Sequence, residues 1–207
     1  MLVLLDNGHG GLINGQPTTV ERRSHALPNG ARLYEGEFNR AIVNGLIQEL
    51  TFLNIPYVNI CPEIRNVTLT TRVKRANLYR SEKNVFLVSV HSNAGGGRGS
   101  EFFTSRGRTK SDPIANIFAQ EYVNEFPDRR LRTDLSDGLL GKEANFTILK
   151  KTAMPAVLSE NFFFDNKEEV ESILMSPIGR QKIINFHLRA ILRAKVEIFN
   201  EAPALLS

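Results

Sequence analysis

Two apolar runs in this chain of 207 residues end in the same way. Met1 to Leu5 leads into Asp6-Asn7-Gly8-His9-Gly10-Gly11, and Val85 to Val90 leads into His91-Ser92-Asn93-Ala94-Gly95-Gly96-Gly97. A short apolar run that stops at turn formers reads as a buried strand. A histidine at its end, on a loop that glycine lets turn tightly, can ligate a metal or act as a general base. One such histidine is a weak signal; two with the same context point to one shared site at one edge of a sheet. A third apolar run, Ala156-Val157-Leu158-Ser159, ends in Glu160, and Glu35 and Glu37 stand just before a helical pattern. Catalytic zinc takes neutral imidazole and carboxylate ligands and keeps one position open for water. A carboxylate outside that ligand set can then take the water's proton. Two histidines, one ligand carboxylate and one free carboxylate would complete such a site, and Glu35, Glu37 and Glu160 are the candidates.

The elements that must position these groups can be read in order. Residues 6–34 form a long irregular segment, and loops this long are functional or disordered. Phe38, Ile42, Val43, Leu46, Ile47 and Leu50 recur at three- and four-residue steps, which predicts an amphipathic helix ending at Asn54-Ile55-Pro56. Tyr57 to Ile60 reads as a strand. Thr68 is a good N-cap for a helix running to about Arg80. Asn84 to Val90 and Gly99 to Thr104 read as strands, and Ser111-Asp112-Pro113 opens a helix carrying Ile114, Ile117, Phe118, Tyr122 and Phe126. Residues 127–144 read as a second long loop. Phe146-Thr147-Ile148-Leu149 and Ala156 to Glu160 are further strand candidates. Pro177 to about Asn200 predicts a final helix with Ile183, Ile184, Phe186, Leu188, Ile191, Leu192, Val196 and Phe199 as core positions. Strands alternating with helices predict an α/β fold: one domain over residues 1–207, with a mostly parallel or mixed twisted sheet of about six strands flanked by helices. The tail from about residue 200 is expected to be loose. In open α/β sheets ligands gather beyond the carboxyl ends of the strands, where His9, His91 and Glu160 fall.

Composition sets outer bounds. Hydrophobic residues make up 42% and charged residues 23%, which fits a globular protein with a sizeable core. No apolar run approaches the roughly 18 residues that a membrane span needs. The single cysteine, Cys61, rules out an internal disulfide and a thiolate-rich zinc knuckle. The net charge of +4 favours polyanionic surroundings, but Lys and Arg are scattered and no nucleic-acid motif is present. Met1 leads straight into the first strand without a basic n-region, so no signal peptide is visible and the export route is left open.

The motifs, taken together and in order, resemble those of the zinc-dependent N-acetylmuramoyl-L-alanine amidases of the amidase-3 type. Asp6-Asn7-Gly8-His9-Gly10-Gly11 is similar to the family's D-x-G-H-G-G opening. Glu35-Gly36-Glu37-Phe38-Asn39 is similar to its E-x-x-x-N helix start, and Leu69 to Asn77 to its L-x-x-R-x-x-x-A-N helix. Ser89-Val90-His91-Ser92-Asn93-Ala94 resembles S-x-H-x-N-A, and Pro155 to Phe162 resembles P-A-V-L-x-E-x-G-F, with Asn166 where the family has an Asn before its next helix. The matches run from residue 3 to about 190. The resemblance implies His9, Glu35 and His91 as zinc ligands and Glu160 as the catalytic carboxylate. Glu35 is preferred to Glu37 because the family's ligand precedes the Asn by four. It also implies peptidoglycan as substrate, cleavage between N-acetylmuramic acid and L-alanine, and action at the bacterial cell wall, periplasmic or extracellular, as a phage endolysin or an autolysin; a monomer is expected. Another zinc amide hydrolase or carboxypeptidase on the same scaffold, and a wall-binding module without catalysis, are the alternatives. Two positions depart from the pattern: Asn7 stands where proline is common, and Phe162 or Asn161 where glycine is usual.

Secondary roles complete the reading. Arg72 is expected in a structural ion pair, and Asp6 either behind a ligand imidazole or in turn chemistry. Asn93 is expected to brace the loop after His91. Glu101 matches a G-x-E pattern of the family and equally fits an edge-strand charge. His187 is expected to be structural and His25 solvated.

Overall fold

The computed structural model of the chain describes residues 1–20 and 22–203. In chain order the elements are β1 (Leu2–Asn7), β2 (Leu12–Ile13), β3 (Gln16–Pro17), α1 (Glu35–Phe52), β4 (Tyr57–Asn59), α2 (Leu69–Asn77), β5 (Val85–Asn93) and β6 (Glu101–Thr104). They continue as α3 (Asp112–Glu125), β7 (Lys142–Glu143), α4 (Thr147–Lys151), β8 (Ala156–Phe163), α5 (Lys167–Glu169, extended by a π-helical turn over Val170–Leu174) and α6 (Pro177–Glu197). Six strands form one sheet in the order β4-β1-β5-β8-β6-β7. β4, β1, β5 and β8 run parallel; β6 is antiparallel to β8. The expected mixed α/β sheet is therefore present. β2 and β3 form a small hairpin inside the long segment before α1. No helix among the described residues is long and apolar enough to cross a membrane.

The period-2 alternation of the strands divides the interior into two cores. Val3, Leu5, Phe86, Val88, Val90 and Val157 face α1, α3 and α6 in the larger core. Leu4, Leu87, Ala156 and Leu158 face the other way, under the short helices α2 and α4. The same parity carries on past the apolar residues. Asp6, Ser89, His91 and Glu160 share the face of Leu4, Leu87 and Leu158, so the polar strand ends emerge on the thinly covered side. The cross-strand register pairs Asp6 with Ser89 and His91 with Glu160.

Two expectations are corrected. Phe146 to Leu149 does not form a strand; it opens α4, with Phe146 as N-cap. Ile148 and Leu149 are consecutive and both buried, which one strand face cannot provide and a helical turn can. Lys150 and Lys151 at its end suit the negative pole of the helix dipole. Val196 is not a core residue: it is solvent-exposed on α6. At the chain's end, Glu201 accepts hydrogen bonds from the Met1 amine and Asn84, while residues 204–207 lie outside the described residues.

One local irregularity shapes the site. The β5–β8 register shifts after His91, which pairs with Glu160, because Asn93 pairs with Phe163. Two residues of β8 therefore oppose one of β5, a bulge. Phe162 absorbs it at φ +58°, the left-handed region that glycine favours. Of Asn161 and Phe162, only Phe162 has a backbone conformation that calls for glycine. The aromatic ring offsets the backbone cost by full burial against Phe126 and Tyr122, with centroids 5.0 and 5.8 Å away. Ser100 Oγ accepts from its N–H at 3.1 Å, and its carbonyl accepts from Ser92 Oγ at 3.3 Å.

His187 supports β8 from the other face. Its Nδ1 lies 2.8 Å from the Ile183 carbonyl, so Nδ1 carries the proton and Nε2 accepts from Ser159 Oγ at 2.9 Å. Phe118 and Phe186 flank the ring. Burial pushes the imidazole down to about 4.

Two predictions follow from these packing arguments. Phe162→Gly and Phe162→Ala both lose the buried ring, but the glycine variant, free of the left-handed penalty, retains about 1 kcal/mol more stability in chemical denaturation. For His187 the folded pKa lies below the unfolded one, so the unfolded chain takes up the proton first. Its contribution is complete above about pH 6.5 and declines by about 3 kcal/mol as the pH falls to 4. In His187→Gln the slope of unfolding free energy against pH in that window becomes shallower by the equivalent of one proton; equal slopes would refute the assignment.

Candidate metal centre

The floor of the site is made by three strand ends and one helix start. His9 follows β1 and sits at φ +62°. Its carbonyl accepts from Arg72 Nη2 at 3.2 Å. The same guanidinium bonds the Asn7 carbonyl at 2.7 Å, the Val67 carbonyl at 2.8 Å and the Asp6 carboxylate. Arg72 thus forms the expected ion pair, and it also clamps the backbone that presents His9. Asp6 is engaged by Arg72 and by Ser89 Oγ at 2.7 Å, not by an imidazole. Burial pushes its carboxyl up, and the charges of Arg72 and His91 with the hydrogen bonds from Ser89 and Arg72 together reverse this, leaving it below the usual carboxylate range.

Glu35 is the first residue of α1 and almost wholly buried. Its own N–H donates to the Arg22 carbonyl at 2.9 Å. Asn39, one helical turn on, donates from Nδ2 both to the Gly8 carbonyl at 2.9 Å and to Glu35 Oε1 at 3.4 Å. That double contact gives the E-x-x-x-N spacing a physical reason. The Ser92 N–H adds a donor to Oε1 at 3.3 Å. Gly36 lets α1 start this close to the His9 loop, since a Cβ there would overlap the Gly10 carbonyl.

These elements bring His9, Glu35 and His91 together. Glu35 Oε2 lies 3.3 Å from His9 Nε2, and Oε1 lies 3.1 Å from His91 Nδ1. The ligand atoms of the three residues all fall within 4.8 Å of one another. The two rings meet edge to face with centroids 5.1 Å apart. Gly8 makes room for this: a Cβ on it would overlap the His91 ring. Glu37 is not in the cluster; its Oε1 accepts from the Leu12 N–H at 2.7 Å. Of the other histidines, His25 is exposed and His187 lies in the core.

The electrostatics fit a cation. Glu35 Oε2 is buried and accepts no hydrogen bond, a costly arrangement for a carboxylate oxygen unless a positive charge faces it. Burial raises the Glu35 carboxyl, but the hydrogen bond and charge of His91 outweigh it and hold the group ionised. Burial lowers His91, and its hydrogen bond to Glu35 with the charges of Glu160, Glu35 and Asp6 reverses the direction. His9 is lowered by burial to about 4, so its imidazole is neutral and ready to donate a lone pair. Two imidazoles and one ionised carboxylate around an unpartnered oxygen are a donor set suited to zinc.

Glu160 faces this cluster from β8, opposite His91 on one side and Glu101 on the other. Its Oε2 is buried without a partner. Burial is the main cause that raises its carboxyl to about 7; His91 opposes this, and the charges of Glu35 and Glu101 add to it. Glu101 is more than an edge-strand charge. Arg132 Nε and Lys142 Nζ reach its Oε2 at 3.2 and 2.6 Å, and Asn93 Nδ2 bonds Oε1. Asn93 braces the following turn as expected, accepting from the Ala94 N–H at 2.8 Å. This linkage from Lys142 to the loop after His91 was not foreseen, because its members are far apart in sequence and carry no shared motif.

A cleft of about 540 Å³ opens over these groups, walled by Asn66 to Leu69 at the start of α2 and by Asn145 to Ile148 at the start of α4. Arg22 also lines it.

Comparison with known proteins places the chain in a family. Residues 3–193 match the family model described as Amidase_3, N-acetylmuramoyl-L-alanine amidase. The chain is 30% identical over 197 residues to the N-acetylmuramoyl-L-alanine amidase CwlM of Bacillus licheniformis, covering 93% of this chain and 68% of that protein. It is 28% identical over 173 residues to the endolysin of Bacillus phage SPP1, covering 81% of this chain and 56% of the endolysin. An N-acetylmuramoyl-L-alanine amidase from Clostridium difficile 630 has the same fold, with a TM-score of 0.77 at 22% identity over 95% of this chain and 97% of that one. The ordered motifs and the match along almost the whole chain place this protein in the Amidase_3 family of N-acetylmuramoyl-L-alanine amidases.

Proposed function

We propose that this chain is a zinc-dependent hydrolase that cleaves the amide between N-acetylmuramic acid and L-alanine in peptidoglycan, working as one catalytic domain and as a monomer at the cell wall. The observation that carries this reading is the cluster of His9, Glu35 and His91 with the raised carboxyl of Glu160 facing it in an open cleft. The names of the relatives point to the same substrate.

His9, Glu35 and His91 would hold the zinc ion. Bound there, zinc supplies a Lewis acid for the scissile carbonyl and lowers the pKa of water toward neutrality. The chain's own residues do the rest. Asn39, Ser92 and the Arg72 clamp fix the ligands before the ion arrives, so little ordering is left to bind it. Glu160 takes a proton from the attacking water and gives it to the leaving alanine nitrogen. The walls over α2 and α4 give an extended polymer a groove to lie in.

Digestion of purified cell walls is expected to release intact stem peptides with L-alanine at the amino terminus and no new reducing sugar ends; release of terminal amino acids instead would favour a carboxypeptidase. Glu160→Gln is expected to lose about 10²- to 10⁴-fold in turnover while retaining wild-type zinc content. Full activity in that variant would remove Glu160 from the mechanism. Gly8→Ala, which pushes on the His91 ring, is expected to weaken zinc binding at least about 10-fold in a competitive chelator titration, with the fold preserved by circular dichroism.

A further inference from the structure

Two arginines line the cleft. Arg72 is committed to Asp6 and to three backbone carbonyls. Arg22 is not committed. Among the described residues its guanidinium makes no hydrogen bond and its one carboxylate contact is with Glu35 Oε2 at 4.0 Å, and its side chain is 48% exposed. A metal ion held by Glu35 would take that carboxylate's charge and repel the guanidinium. The side chain does not start from a loose point, however. The Arg22 carbonyl accepts from the Glu35 N–H, Arg23 bridges Tyr34, and the Ser24 N–H donates to the Leu33 carbonyl at 2.8 Å. This short antiparallel ladder fixes the root of Arg22 beside the metal cluster, with its head free in the cleft.

We infer that Arg22 is a substrate-binding residue that pairs with a carboxylate of the stem peptide, the free α-carboxyl of the residue that follows L-alanine. This rests on the amidase reading and sharpens it, because it sets which form of the polymer is preferred. In peptidoglycan that second residue is joined onward through its side-chain carboxyl, so its α-carboxyl stands as an anion or as an amide. An extended chain advances about 3.3–3.6 Å per residue, which places this group one to two residues from the scissile amide and within reach of an arginine rooted next to the metal. A guanidinium matches a carboxylate with two parallel hydrogen bonds and loses that match with an amide.

The test uses the zinc-loaded protein and two soluble muramyl peptides that differ only in a free or amidated α-carboxyl at that residue. The wild type is expected to favour the free acid about 10-fold in kcat/KM, with the difference in KM. Arg22→Ala is expected to erase the preference by raising KM for the acid, and Arg22→Lys to restore part of it. Equal use of both peptides by the wild type, or a proportionate loss on both in Arg22→Ala, would overturn the proposal. If the wild type cleaves neither peptide, the amidase reading falls. Calorimetric binding of the same pair to Glu160→Gln then still decides on Arg22: a preference for the acid that vanishes in Arg22→Ala,Glu160→Gln supports it, and equal affinities overturn it.

Discussion

A carboxylate placed where water cannot reach it is the constraint on which the structure turns. Glu35 is 1% exposed, and one of its oxygens has no hydrogen-bond donor. An isolated buried charge of this kind costs several kcal/mol, so the groups around it must favour the ionised form. They do so from three separate segments. The α1 amino terminus points its dipole at the group, Asn39 holds one oxygen, Ser92 offers an N–H, and the two imidazoles close in from β1 and β5. The oxygen left without a donor has the charge that a cation would satisfy. The site is thus a folding problem and a chemical one at once.

The sheet solves the geometry. Parallel strands in register bring Asp6, Ser89, His91 and Glu160 to one level and one face. Parity puts the aliphatic residues before them into the core beneath α2 and α4. The bulge at Phe162 then changes the phase of β8 just after Glu160. The carboxylate stays on the cleft side, while Phe162 and Phe164 enter the larger core. One residue in a disfavoured backbone state therefore lets a single strand serve both the chemistry and the packing.

Much of this was legible in the sequence because it is local. Strand ends marked by His9, His91 and Glu160, and the four-residue step from Glu35 to Asn39, are short-range patterns tied to strand and helix periods. The α/β alternation followed from the same periods. What stayed hidden depends on distance along the chain. Arg132, Lys142, Glu101 and Asn93 meet only after folding, so no window contains them. Phe146 to Leu149 was misread as a strand because four apolar-rich residues fit either period, and only the cover over α2 decides for the helical turn. The left-handed backbone at Phe162 was invisible because an aromatic residue there contradicts local preference and is upheld by Tyr122 and Phe126 from another element.

The unequal thickness of the two sides of the sheet has a dynamic consequence. The long helices α1, α3 and α6 pack on one face and on each other, while α2 and α4, nine and five residues long, cover the other. Helices this short gain little from their own hydrogen bonds and depend on a small patch of core. Local opening is cheapest there, so amide exchange over the cleft walls is expected to be decoupled from exchange in the strands that end at His9, His91 and Glu160. The walls can breathe while the geometry of His9, Glu35 and His91 beneath them stays still.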